Sequence, residues 1–404
     1  MKRVVITGMG IWSSIGQDLN TVTESLRNGR SGIIFDAARK ERGMQTGLIG
    51  NVPMPGLRPF LPRKYRATMS TESLFAYMAC RQALSSAGLT EQYLDANEMG
   101  IIFGTDGNTE EVDAVNIIRE EKDTWVLAPG TFFKVATSSV SMNMATIFHL
   151  RGINVCVSAG CASASHAIGV ATTLIRSGLQ SMILTGGSSE LGVYGEAPFD
   201  ALNTLSLRDE TPAAASRPFG KDRDGGVTSG GAASLVLEEY EHAVKRGANI
   251  LAEVIGYGFC GNEKDEIHQP SNTAIVTAIQ RALQDANISI DEVDYINSCA
   301  SSSITDDIAE AIALKQVCGQ RKIPISSTES MTGHEGWMGG ASEVVYSILM
   351  MQNDFIAPNI NIKISFLVNN FLISIPILYY IITPPHFLLS IRNVIFFIRY
   401  IFYT

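Results

Sequence analysis

The sequence predicts an α/β protein whose largely parallel or mixed core sheet is covered by helical layers. Short apolar runs recur along the chain, most of them ending at a glycine: Val4-Val-Ile-Thr-Gly8, Gly100-Ile-Ile-Phe-Gly104, Met182-Ile-Leu-Thr-Gly186, Leu251-Ala-Glu-Val-Ile-Gly256 and Val293-Asp-Tyr-Ile-Asn297. Runs without polar alternation suit strands buried on both faces. Between them lie stretches such as 71–87 and 272–286, whose apolar residues recur at three- and four-residue steps, the period of a helix with one buried side. Finally, 404 residues with 46% hydrophobic and 18% charged content are enough for a large core, in two or three domain-sized units or one large body.

The first strand begins almost at residue 1. Met1-Lys-Arg-Val-Val-Ile-Thr-Gly8 has neither the long apolar stretch nor the small-residue cleavage site of a secretory signal, so it reads as a mature start. Gly8-Met-Gly10 has the beginning of a dinucleotide loop, but Ser13 occupies the third glycine position, and a plain strand-to-helix turn is the reading adopted. The net charge of -9 argues against a general nucleic-acid binder, and an acidic partner would need a local basic patch. Arg63, Lys64 and Arg66 form such a cluster, equally open to a docking role and to a solvated charge run.

The centre of the chain is Ile153-Asn-Val-Cys-Val-Ser-Ala-Gly-Cys-Ala-Ser-Ala-Ser-His-Ala-Ile168, which reads as strand, tight turn and helix, with Cys161 at or next to the helix start. A free cysteine is usually a small buried hydrophobe. Here the helix dipole and unpaired N–H groups favour thiolate, and small neighbours clear space around the sulfur, so Cys161 is the candidate nucleophile. The six cysteines contain no CxxC pair and no metal-ligand spacing, which implies no metal and a reducing cytoplasm.

Three further stretches bear on that sulfur, and a charged loop read as structural lies among them. In Ser216–Glu239 the glycines of a charged loop read as structural, permitting close packing or positive φ, and the helix after it, 239–247, looks solvated. Tyr295–Glu310 is a strand end, a hydroxyl-rich loop and a helix start, and Ile325–His334 is followed by the Gly-rich 339–343 segment. The role of Phe199–Ser206 stays open. His166 reads as a packing residue, and His149, His242, His268 and His386, with no carboxylate or cysteine constellation in sequence, as structural or solvent-facing. From Ile364 onward the chain has no Gly, Ala, Asp, Glu or Lys, and Asn369-Asn370, Pro376 and Pro384-Pro385 cut its apolar runs short of the ~20 residues a membrane helix needs. This tail reads as foreign to the fold, as a shift of reading frame in AT-rich DNA would make it, and membrane insertion is the lesser reading.

Val4-Val-Ile-Thr-Gly-Met-Gly10, the Cys161 elbow, Ser216-Arg-Pro-Phe219, Asp222-Arg-Asp-Gly225 and Ser330-Met-Thr-Gly-His334 together resemble the β-ketoacyl-acyl-carrier-protein synthases, over about residues 1–362. The resemblance implies a thiolase-like five-layered fold of two similar halves with mixed sheets, divided here as 1–250, an incomplete 251–362, and the unrelated tail 363–404. It implies acyl-carrier protein as partner, its phosphopantetheine as the only prosthetic group involved, and a homodimer or a heterodimer with a paralogous synthase. An acyl chain moves to Cys161 as a thioester, malonyl-carrier protein loses CO2, and its carbanion attacks. His334 would be one of two histidines stabilising the enolate, while backbone amides hold the oxyanion.

The departures from that pattern bear on the second step. Cys299 stands where the family places its first histidine, and a thiol is a weak donor. Ser301 and Ser303 keep the hydroxyls offered to pantetheine. Glu329 replaces a lysine that pairs with the glutamate matching Glu310, which sets two carboxylates near each other. Nothing after Ile362 resembles the family's last Gly-rich loop, with its second oxyanion amide. The sequence therefore points to a condensing enzyme with impaired condensation, with a chain-length-factor-like partner subunit as the alternative. A frameshifted pseudoenzyme that folds poorly is the third.

Overall fold

The computed structural model describes residues 1–107, 109–262 and 271–362, with the backbone of 367–368, 371–372 and 394–396. The first half is framed by six strands: β1 (Val4–Trp12), β2 (Gly100–Gly104), β3 (Asn154–Val157), β4 (Met182–Ser189), β5 (Gly231–Glu239) and β6 (Ala252–Glu253), in spatial order β3-β2-β4-β5-β1-β6. β2 is parallel to β3 and β4, and the remaining pairs are antiparallel, so the sheet is mixed. Successive residues serve opposite faces. Ile102, Ile183, Leu235 and Leu237 enter one core, and Ile101, Phe103, Leu184 and Val236 the other. Burial on both faces is what the uninterrupted apolar runs require.

Helix α1 (Thr71–Ser86) covers one face through Phe75, Ala79 and Ala83, and α2 (Ser163–Arg176) the other through Ala164, Ala167 and Ala171. The second half adds α3 (Asn272–Ala286), α4 (Asp306–Cys318), α5 (Glu329–Thr332) and α6 (Gly339–Gln352). Its strands are β7 (Tyr295–Asn297), β8 (Ile325–Ser326) and β9 (Val394–Phe396), all parallel, in the order β8-β7-β9. Val344, Val345 and Ile348 of α6 share a core with α2 and with Tyr295 of β7. Ile296 and Ile325 face the opposite way, toward Ile275, Ile279 and Leu314 of α3 and α4. The succession α1, large sheet, α2 with α6, small sheet, α3 with α4 is five layers, as expected.

Gly8 and Gly10 are not in a turn. Both lie inside β1, where a Cβ would run into the carbonyl oxygens of Ala83 and Ala79. Their missing side chains let α1 rest directly on the strand, a packing requirement that a turn reading overlooks. Gly104 and Gly186 likewise remain within β2 and β4.

The tail was expected to stand outside the fold, yet Val394–Phe396 pairs in register with Tyr295–Asn297. Its Val-Ile-Phe sequence has the β-branched and aromatic character that fits a pleated surface. The readings made of Asn369, Asn370, Pro376, Pro384, Pro385, His386 and His268 fall outside the described residues. Among the described residues no helix is long and apolar enough to cross a membrane.

Candidate active site

β3 ends at Val157 and α2 begins at Ser163, so Cys161 sits just ahead of the helix, at the positive end of its dipole and 4% exposed. The turn between is held from both sides. Gly160 has φ 54, a left-handed conformation that favours glycine. Asp106, just past β2, accepts from Ser158 Oγ–H (2.7 Å) and from Gly160 N–H (2.5 Å). Ser163 Oγ–H donates to Gly160 O (2.6 Å) and its oxygen accepts from Ala159 N–H (2.9 Å).

Across from the sulfur, Cys161 Sγ lies 3.0 Å from His334 Nε2. The imidazole is carried on a fixed backbone. His334 N–H donates to Val227 O (2.6 Å), Ser229 N–H donates to His334 O (2.8 Å), and Gly333 turns the chain at φ 74. His334 Nδ1 faces both carboxylate oxygens of Glu329, at 3.2 and 3.3 Å. Glu329 opens α5, is 2% exposed, and its carbonyl accepts from Ser216 Oγ–H at 2.8 Å.

Behind Glu329 the line of acidic groups continues. The donor atoms of Cys299, Glu329 and Glu343 all lie within 4.8 Å of one another. Glu343 comes from α6 and was not singled out in the sequence; Glu310, the neighbour expected for Glu329, accepts from Ser298 Oγ–H (2.8 Å) and Cys299 N–H (3.2 Å). The thiol and two carboxylates are donors of the kind divalent cations take, drawn from three segments that no sequence spacing links. A cation would have to draw them into bonds of about 2.0–2.3 Å.

The charged loop acts as a brace. Asp307 accepts from Phe219 N–H (2.8 Å) and Ser301 N–H (3.1 Å) and pairs with Arg223 (3.4 Å). Burial pushes the Asp307 carboxyl up to about 8, against the pull of the Phe219 N–H and Arg223. Arg223 also donates to Ser303 O (2.8 Å), while Ser303 Oγ accepts from Asp306 N–H (3.3 Å) at the start of α4. Phe199 stacks obliquely near Trp337, with ring centroids 6.4 Å apart, and Ser206 Oγ–H donates to Asp224 (2.9 Å).

The other candidates lie apart from the sulfur. His166 Nδ1 meets Tyr257 Oη at 2.5 Å, and burial lowers its pKa, which fits the packing role. His149 and His242 do have acidic partners, Asp95 (2.7 Å) and Glu238 (2.9 Å), the first 54 residues away in sequence and the second four residues back, in β5. Arg63 and Lys64 are exposed, and Arg66 Nε–H donates to Leu61 O (3.0 Å). Asp106 went unnoticed because it is an ordinary acid in sequence. Its signal is topological, since it follows the C-terminal end of the strand parallel to the one that leads into the elbow.

The family models for the N-terminal and C-terminal domains of β-ketoacyl synthase match residues 1–243 and 251–363. The chain belongs to the β-ketoacyl synthase family. It is 38% identical over 367 residues to 3-oxoacyl-[acyl-carrier-protein] synthase 1 of Escherichia coli K12, a match spanning 90% of this chain and 89% of that protein. The crystal structure of a β-ketoacyl synthase from Burkholderia phymatum STM815 superposes with a TM-score of 0.85 at 34% identity, covering 90% of this chain and 89% of the other. The ishigamide ketosynthase/chain length factor superposes with a TM-score of 0.82 at 28% identity and the same coverages. As a β-ketoacyl synthase the chain is an acyltransferase of the condensing type, and its five layers are the thiolase-like fold.

Proposed function

We propose that this synthase transfers an acyl group from acyl-carrier protein to Cys161 and condenses it with malonyl-carrier protein only weakly. The 3.0 Å contact between Cys161 and His334, on an elbow clamped by Asp106, carries the first half of the reading. It supplies a nucleophile with a proton acceptor already in reach. The second half rests on Cys299, Glu329 and Glu343, gathered within 4.8 Å. Decarboxylation brings in a malonyl carboxylate and builds an enolate, both anionic, and a site of carboxylates and a thiol disfavours both. No bound cofactor enters this scheme beyond the phosphopantetheine of the carrier protein. The halves at 1–250 and 251–362 divide the work, the first supplying Cys161 and the second His334, Glu329 and Cys299.

Arg63 and Lys64, exposed on one short helix with Arg66, are the proposed docking patch for the acidic carrier protein, with Ser301 and Ser303 along the pantetheine arm. A second reading, a partner subunit that shapes the pocket of an active synthase, is favoured by the likeness to a ketosynthase/chain length factor. Strand β3 supports association in either reading. It is an edge of the large sheet and exposes Val155, and such edges invite pairing with another chain.

The test incubates the protein with acyl-carrier protein bearing an acyl chain, follows intact mass, and then adds malonyl-carrier protein. A one-acyl mass gain absent from Cys161→Ala, followed by little extended product, is expected. No acylation of the wild-type protein would leave the partner-subunit reading in its place.

A further inference from the structure

We propose that this protein also hydrolyses acyl thioesters, with Cys161 as nucleophile, His334 as proton carrier and Glu329 as the residue that positions the imidazole. The proposal rests on the acylation of Cys161 proposed above and goes beyond it in the fate of the acyl group.

The tautomer of His334 decides what its Nε2 can do. A carboxylate only accepts hydrogen bonds, so Glu329, at 3.2 and 3.3 Å, calls for the proton on Nδ1. Nε2 then keeps its lone pair for the thiol 3.0 Å away. The lysine that the sequence resemblance places at this position has three donors and no acceptor. It would favour the opposite tautomer, with Nε2–H available as a donor to an anion. Replacing it with Glu329 therefore changes His334 from a hydrogen-bond donor into a base, in the arrangement of nucleophile, base and orienting acid that serves acyl transfer to water on unrelated folds. Glu329 is 2% exposed, so little solvent intervenes between it and the ring. The His334 side chain is 17% exposed, which gives water a way to it.

Two balanced steps follow. In the first, the Cys161 proton passes to His334 Nε2, Sγ bonds to the thioester carbonyl carbon, and the carrier's carbon–sulfur bond breaks, its thiol leaving with the proton from Nε2. In the second, water gives a proton to Nε2 and its oxygen bonds to the acyl carbon. The Cys161 carbon–sulfur bond breaks, and Sγ takes the proton back. Thioester and water become carboxylic acid and carrier thiol, with nothing oxidised or reduced.

The experiment mixes the full chain with acyl-carrier protein carrying a radiolabelled acyl chain, without malonyl-carrier protein, and measures free acid, free thiol and acyl-enzyme over time. The wild-type protein is expected to release acid through many turnovers. Glu329→Gln, checked for a native melting curve, is expected to acylate but to hold its acyl group at least tenfold longer, lowering kcat and KM together and leaving kcat/KM little changed. Glu329→Asp, which keeps the acceptor charge, is expected to recover part of the rate. A wild-type acyl-enzyme that forms and persists overturns hydrolysis alone, as does a Glu329→Gln protein that deacylates at the wild-type rate. A wild-type protein that never acylates overturns the acyl-transfer reading along with it.

Discussion

Around Cys161 and around Cys299, the same pocket is built in two ways. At Cys161 each charged or polar group has a complementary one: Asp106 takes the Ser158 hydroxyl and the Gly160 amide, and the sulfur faces an imidazole. At Cys299 two carboxylates, Glu329 and Glu343, stand beside the thiol, all within 4.8 Å. On the function proposed above, the first arrangement serves a nucleophile and the second opposes an incoming anion. Cys299 and Glu329, two of the departures from the resemblance, lie together in that second arrangement, while the frame beneath it keeps its five layers, with Gly8 and Gly10 under α1. On that proposed function, these substitutions bear on the reaction and leave the fold in place.

The largest effect should come from erasing the contrast. The double variant Cys299→His, Glu329→Lys is expected to raise the rate of extension with malonyl-carrier protein on the order of a hundredfold, the usual worth of an anion-stabilising donor. Product assays by mass spectrometry check this, and an unchanged rate breaks the comparison.

Glu238 supplies the contrasting case of a buried carboxylate answered by a guanidinium and by hydrogen-bond donors. Burial alone would raise its pKa, but Arg246, His242 and Thr7 hold it down to about 2 from the ordinary 4.5. Its stabilisation is thus present above pH 4.5 and is lost as pH falls toward 2. Urea unfolding of Glu238→Gln at pH 7 is expected to show a loss of about 2 kcal/mol, shrinking as the pH falls through that window.

Asp106→Asn keeps the shape of the elbow but loses one of two acceptors, and a nucleophile held less firmly is expected to acylate about tenfold more slowly. Single-turnover acylation measures it, and an unaltered rate would mean that the elbow does not depend on the clamp. The smallest effect belongs to Arg63, Lys64 and Arg66. Changing all three to alanine is expected to raise KM for the carrier protein about threefold and to flatten its salt dependence, leaving kcat alone.

How much of this was legible in the sequence depended on distance along the chain. Local signals held. Helices α1 and α3 fall where the three- and four-residue periodicity placed them, and Cys161 sits where the strand-turn-helix pattern put it. Readings that depended on contact between remote segments were partial. Gly8 and Gly10 looked like a turn because the helix that requires their bareness lies some seventy residues on. Glu329 was visible as a departure, but its partner His334 and its neighbour Glu343 follow from how α5 turns at Gly333 and how α6 packs back against it. Asp106 had no sequence signal at all, because its role comes from the adjacency of β2 and β3.

The central claim, that the elbow still accepts an acyl chain, is tested most directly by rapid quench and peptide mapping after mixing with acyl-carrier protein. The account predicts the acyl group on the peptide containing Cys161 and none on the peptide containing Cys299. An acyl group on Cys299, or on no cysteine at all, would contradict it.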